Sequence, residues 1–95
     1  MTSDRALERR RVVYRGRVQG VGFRATAADI AGEHPVTGFV RNQADGSVEL
    51  EAQGAKDDVE RFLSAVVERF IHHIRDVEHA PAALVAGEAT FEIRF

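Results

Sequence analysis

Three glycines and two arginines fall within nine residues: Gly16-Arg17-Val18-Gln19-Gly20-Val21-Gly22-Phe23-Arg24. The alternation before this stretch reads as a strand, and the spacing after it as a helix. A glycine-bearing turn between a strand and a helix leaves backbone N–H groups free to point at a ligand. The helix dipole adds partial positive charge at the same end. Arginine contributes a planar fork of donors that matches phosphate oxygens. The chemistry such a stretch can do is anion binding, with phosphate the commonest ligand. It is not a dinucleotide fingerprint, because Ala25 stands where a third glycine is needed. It is not a nucleoside-triphosphate loop either, because no Gly-Lys-Ser/Thr closes it. Spacing alone leaves a second reading open: a tight structural turn whose arginines face water.

The flanking elements must hold that turn. Residues 12–18 alternate as a strand, with Val12, Tyr14, Gly16 and Val18 on one face and Val13, Arg15 and Arg17 on the other. Phe23, Ala27, Ile30 and Ala31 then recur at helical spacing, giving a helix over 22–32 that stops at Gly32 and Pro35. Residues 36–42 form a second expected strand. Asp45-Gly46 is a hairpin signal, and 47–53 a third strand that points Val48, Leu50 and Ala52 one way and Glu49, Glu51 and Gln53 the other. Asp57 and Asp58 favour a helix N-terminus, and Val59, Phe62, Leu63, Val66, Val67 and Phe70 make its apolar stripe. Residues 74–78 read as a fourth strand and 81–88 as a loop. Phe91, Ile93 and Phe95 alternate in a final strand. The order β-α-β-β-α-β plus a C-terminal strand predicts a ferredoxin-like α/β sandwich of the α+β class, two helices on one face of a mostly antiparallel sheet. Residues 1–10 have no sustained apolar period and are expected to form a flexible leader before a single domain over 11–95.

Composition narrows the function classes. The 95 residues suit one small domain, and without cysteine the chain has no disulfide or thiolate nucleophile. No run approaches the roughly 20 apolar residues of a spanning helix, and no secretory signal opens the chain. A cytoplasmic protein without a membrane partner is expected, and nothing demands more than a monomer. The net charge of −2 argues against a general nucleic-acid binder. Arginine outnumbers lysine twelve to one, a skew that points to genome composition, but seven of those arginines cluster between Arg5 and Arg24 around the glycine turn. His34, His72, His73 and His79 have no acid completing a ligand set, so no metal is expected. Tyr14 and Phe23 read as core.

With both flanking elements in place, the nine-residue stretch resembles the signature of the acylphosphatases. A second motif of that family is matched by Gly38-Phe39-Val40-Arg41-Asn42, followed by Asp45-Gly46-Ser47-Val48-Glu49. The resemblance covers residues 11–70 well, and Phe91-Glu92-Ile93-Arg94-Phe95 is similar to the last strand of some members. It implies hydrolysis of the carboxyl–phosphate bond of small acyl phosphates to a carboxylate and inorganic phosphate, with no cofactor. It also implies roles: Gly16, Arg17, Val18, Gln19, Gly20, Val21 and Gly22 form the phosphate-binding loop, Arg24 binds phosphate and Asn42 positions the attacking water. Arg15, Arg17 and Arg41 are expected to be solvated or to brace the loop. The carboxylate of Phe95 is a candidate to orient Arg24.

Two departures from the family pattern stand out. Ala25 occupies a position where many members carry a large aromatic, and the segment 69–74 replaces a Gly/Pro/Ser-rich joint. A non-catalytic phosphate- or anion-binding module is the alternative to an enzyme. A ferredoxin-like RNA binder is a weaker one, since the sheet lacks paired exposed aromatics.

Overall fold

The structure, a computed structural model, describes residues 6–95. Seven elements follow in chain order: β1 (Leu7–Gly16), α1 (Phe23–Ala31), β2 (Thr37–Asn42), β3 (Val48–Ala55), α2 (Lys56–Arg69), β4 (Ile74–Pro81) and β5 (Phe91–Arg94). The strands form one sheet in the order β4-β1-β3-β2-β5. The β1–β3, β1–β4 and β2–β3 pairs are antiparallel, and β2–β5 is parallel. Both helices pack on one face, which is the expected ferredoxin-like α+β sandwich.

That face is built from Val12 and Tyr14 of β1, Val40 of β2 and Val48, Leu50 and Ala52 of β3, all fully buried against Phe23, Ala27, Val59, Phe62 and Val66 of the helices. The stripe expected on α2 therefore does the packing. Asp57 and Asp58 in its first turn and Arg69 in its last complement the dipole. The rings of Tyr14 and Phe23 lie 4.9 Å apart, and Phe23 stacks on Phe70 at 4.4 Å. This clamps the first residue of α1 directly after the glycine turn. The Tyr14 hydroxyl finds no hydrogen-bond partner among the described residues, and burial raises its pKa. Removing an unpaired buried hydroxyl relieves a desolvation cost, so Tyr14→Phe should keep or raise stability by about 1 kcal/mol. A urea melt showing clear destabilisation would mean that the hydroxyl is satisfied.

The flexible leader expected over 1–10 needs correction. β1 begins at Leu7, so residues 7–10 belong to the sheet, while 1–5 lie outside the described residues. The cause is polar burial. Arg9 is only 4% exposed: its Nε donates to Glu51 at 2.5 Å, and its Nη1 donates to Glu88 at 2.8 Å. Burial alone would lower the Arg9 pKa, but Glu88 and Glu51 reverse this and leave it raised. Gln53 exchanges two hydrogen bonds with the Val85 backbone, so the loop over 82–88 lies along this second face of the sheet. Beside it, burial pushes the Glu49 carboxyl up, and Arg11 and Arg41 outweigh that and hold it below the usual carboxylate range. β4 also runs further than expected, to Pro81 rather than residue 78, because β1 extends far enough to pair with it.

Candidate active site

β1 stops at Gly16, and the chain leaves the sheet as an irregular loop that enters α1 at Phe23. Three contacts fix this loop. The Arg17 N–H donates to the His73 carbonyl at 2.9 Å, on the turn before β4. The Val18 side chain is fully buried in the core. The Gln19 amide donates to the Gln43 and Ser47 carbonyls, both at 2.8 Å, at the base of the β2–β3 hairpin. Beyond these anchors the backbone turns through Gly20 at φ 76° and Gly22 at φ 80°, left-handed angles that a side chain would strain.

Backbone N–H groups of Val18, Gln19, Gly20, Val21 and Gly22 find no acceptor among the described residues. Gly22 caps α1 with no side-chain hydrogen bond, and no acidic residue stands in the first turn. A row of free donors thus meets an unneutralised helix N-terminus. Arg24 lies in that first turn. Its Nη1 donates to the Arg94 carbonyl at 3.4 Å, and its guanidinium sits 4.7 Å from the centre of the Phe95 ring. The orienting contacts are therefore this carbonyl and this ring. No ion pair joins Arg24 to a carboxylate among the described residues.

Asn42 ends β2, next to the hairpin that Gln19 grips. Its side-chain amide has no hydrogen-bond partner among the described residues. Val18, Gly20, Gly22, Phe23, Arg24, Ala25, Asn42, Ile93 and Phe95 line one cleft of about 290 Å³. Larger concavities along β1/β4 and α2 contain none of the glycine turn. The cleft brings together loop residues with free N–H groups, one cation and one free amide.

The residues expected at the site divide into two groups. Val18, Gly20, Gly22, Arg24 and Asn42 meet in the cleft. Gly16 is instead the last residue of β1, paired with Ile74, and the Arg17 side chain is exposed. Val21 is 38% exposed, and the Gln19 side chain turns toward the hairpin. Ile93 of β5 and Phe95 just beyond it are cleft walls that the sequence does not mark. Their apolar alternation signals only a strand. Among the described residues no three His, Asp or Glu side chains gather as a metal site. His34 and His73 lie against the rings of Phe62 and Phe70.

A two-helix, five-stranded α+β sandwich with a donor-lined cleft at the start of its first helix defines the class. The acylphosphatase family model matches residues 10–93. An acylphosphatase of Methanospirillum hungatei is 38% identical over 90 residues, spanning 93% of this chain and 98% of that one. An acylphosphatase of Bacillus licheniformis is 46% identical over 56 residues, 59% of this chain and 62% of the relative's length. The crystal structure of acylphosphatase from Bacillus subtilis superposes with a TM-score of 0.81 at 29% identity, over 95% of this chain and 100% of that one. The chain belongs to the acylphosphatase family. Its reaction, in general terms, is hydrolysis of acyl phosphates.

Proposed function

We propose that the loop amides and Arg24 hold the phosphate of a small acyl phosphate, and that Asn42 positions the water that attacks it. The observation that carries this reading is the cleft shared by the glycine turn, Arg24 and an unpartnered Asn42 amide. Water attacks phosphorus as the bond from phosphorus to the carboxylate oxygen breaks. The leaving carboxylate has a conjugate acid of pKa about 4 to 5, so it departs without a strong general acid. A substrate phosphate oxygen accepts the water's proton, leaving a carboxylate and dihydrogen phosphate. The protein contributes position and fixed charge, as in phosphoryl transfer generally. The Asn42 amide, both donor and acceptor, suits a water molecule. The same reading takes a cytoplasmic monomer as the working form; a stable dimer in sedimentation would overturn that part.

The test is release of inorganic phosphate from benzoyl phosphate with a chelator present. The wild-type protein should hydrolyse it, and Asn42→Ala should lose about a hundredfold in kcat. Competitive inhibition by inorganic phosphate should stay within about threefold, because the cradle is untouched. Unchanged kcat in Asn42→Ala would remove its role. A folded wild-type protein with no activity would leave an anion-binding module.

A further inference from the structure

We infer that Gln19 is a positioning residue: its side chain sets the distance between the phosphate cradle and Asn42. This rests on the water-positioning reading of Asn42 above. Gln19 stands inside the glycine turn, between buried Val18 and left-handed Gly20. Its backbone N–H finds no acceptor among the described residues, and its side chain turns to the hairpin. The two N–H bonds of its amide are spent on the carbonyls of Gln43 and Ser47, each at 2.8 Å.

Those carbonyls close the base of the hairpin. Ser47 O already accepts the Gln43 N–H at 2.9 Å, and Gln43 O accepts the Gly46 N–H at 3.1 Å. A carbonyl oxygen has two lone pairs, so the Gln19 donors complete each acceptor without displacing the hairpin's own bonds. The hairpin is rigid in its own right: the Asp45 carboxylate accepts from the Ser47 N–H at 2.9 Å and from its hydroxyl at 2.5 Å. The Ser47 bonds hold the Asp45 carboxyl below its ordinary range.

Gln43 follows Asn42 directly in the chain. A bond to the Gln43 carbonyl therefore fixes the peptide next to the one carrying the free amide. The other anchors of the loop, the Arg17 N–H on His73 and the buried Val18, tie it to the β4 side and to the core. Gln19 alone among them ties it to the hairpin. Water attack needs oxygen and phosphorus within a narrow range of separation and angle, and small displacements cost rate steeply. A side chain that braces the two halves of the site acts on turnover more than on phosphate affinity.

Gln19→Met keeps length and volume and removes both donors. Gln19→Glu keeps shape and turns a carboxylate toward two carbonyl oxygens. With benzoyl phosphate as substrate, Gln19→Met should lower kcat about tenfold and leave the inhibition constant of inorganic phosphate within about twofold. In an Asn42→Ala background the same substitution should cause no further loss, because the group it positions is gone. In a phosphate titration followed by NMR, the Gly20 and Gly22 amides of Gln19→Met should shift as in wild type, while the Asn42 side-chain amide resonance is displaced already without ligand. Equal losses in both backgrounds, or weakened phosphate inhibition with kcat intact, would make Gln19 a part of the cradle and overturn the inference. Full activity of Asn42→Ala itself would instead overturn the reading on which it rests. If Gln19→Met melts early, Gln19→Glu at a temperature where it is folded gives the same comparison.

Discussion

Arg24→Ala is expected to abolish turnover, lowering kcat/KM by about a thousandfold or more, and to weaken inhibition by inorganic phosphate at least about tenfold. Both effects come from one side chain because of where it stands. Arg24 is in the first turn of α1, beside free loop amides and a helix N-terminus with no side-chain cap. Amide dipoles carry partial charge, whereas the guanidinium carries a full one; in the proposed reading it would meet charge on the phosphoryl oxygens in ground state and transition state alike. Its guanidinium contacts the Arg94 carbonyl and the Phe95 ring, and among the described residues no carboxylate pairs with it. Arg24→Lys keeps the charge and loses the fork, so it should recover part of phosphate binding and little of the rate. The fold should survive both changes, since neither contact of Arg24 belongs to the core. Matched thermal melts with collapsed phosphate inhibition would complete the case. An Arg24→Ala protein inhibited by phosphate as strongly as wild type would remove Arg24 from the binding site.

The parts of this molecule legible in the sequence are those whose physics is local. The stripe from Val59 to Phe70 and the Asp45-Gly46 turn announce themselves through period and turn chemistry. Gly20 and Gly22 announce a backbone that must turn left-handed. What could not be read is burial achieved by charge pairing. Arg9 has no hydropathy signal and is among the most enclosed residues of β1, because Glu51 and Glu88, 42 and 79 positions further on, pair with it. The start of β1, the reach of β4 and the course of 82–88 all depend on that pairing. The cleft was legible in its donors and not in its supports. Gln19 bonds backbone carbonyls 24 and 28 positions away, and a carbonyl has no residue type to recognise. The contact between Arg24 and the Arg94 carbonyl spans 70 positions and is made by topology alone.

Gly38→Ala should be the most destabilising single-methyl change in the second motif, costing about 3 kcal/mol or more. β2 crosses β3 so closely at Gly38 that an added Cβ would lie 1.9 Å from the Glu51 carbonyl oxygen, 2.8 Å from its carbonyl carbon and 3.2 Å from the Ala52 Cα. All three are backbone atoms of the central sheet, so no rotamer change relieves the clash. The residue also sits at φ 146°, a conformation that side chains rarely adopt. Small domains hold roughly 5–15 kcal/mol in total, so a large share of the stability is at stake. The melting midpoint should fall by roughly 15 °C or more. The effect then reaches the site along the strand. Gly38 pairs with Phe91 of β5 as well as with Ala52, and Asn42 ends the same strand. Relief of the clash must move β2 away from β3, and Asn42 moves with it, whereas two of the three loop anchors, the Arg17 N–H on His73 and the buried Val18, lie outside β2 and its hairpin. At a temperature where the variant is still folded, kcat should therefore fall further than phosphate inhibition weakens, since Asn42 stands on β2 itself, whereas Arg24 stands on α1 and two of the three loop anchors lie off the hairpin. A variant that melts within about 2 °C of wild type would mean that β2 and β3 are not packed this closely. Equal losses in kcat and phosphate inhibition would mean that β2 supports the glycine loop as much as it supports Asn42.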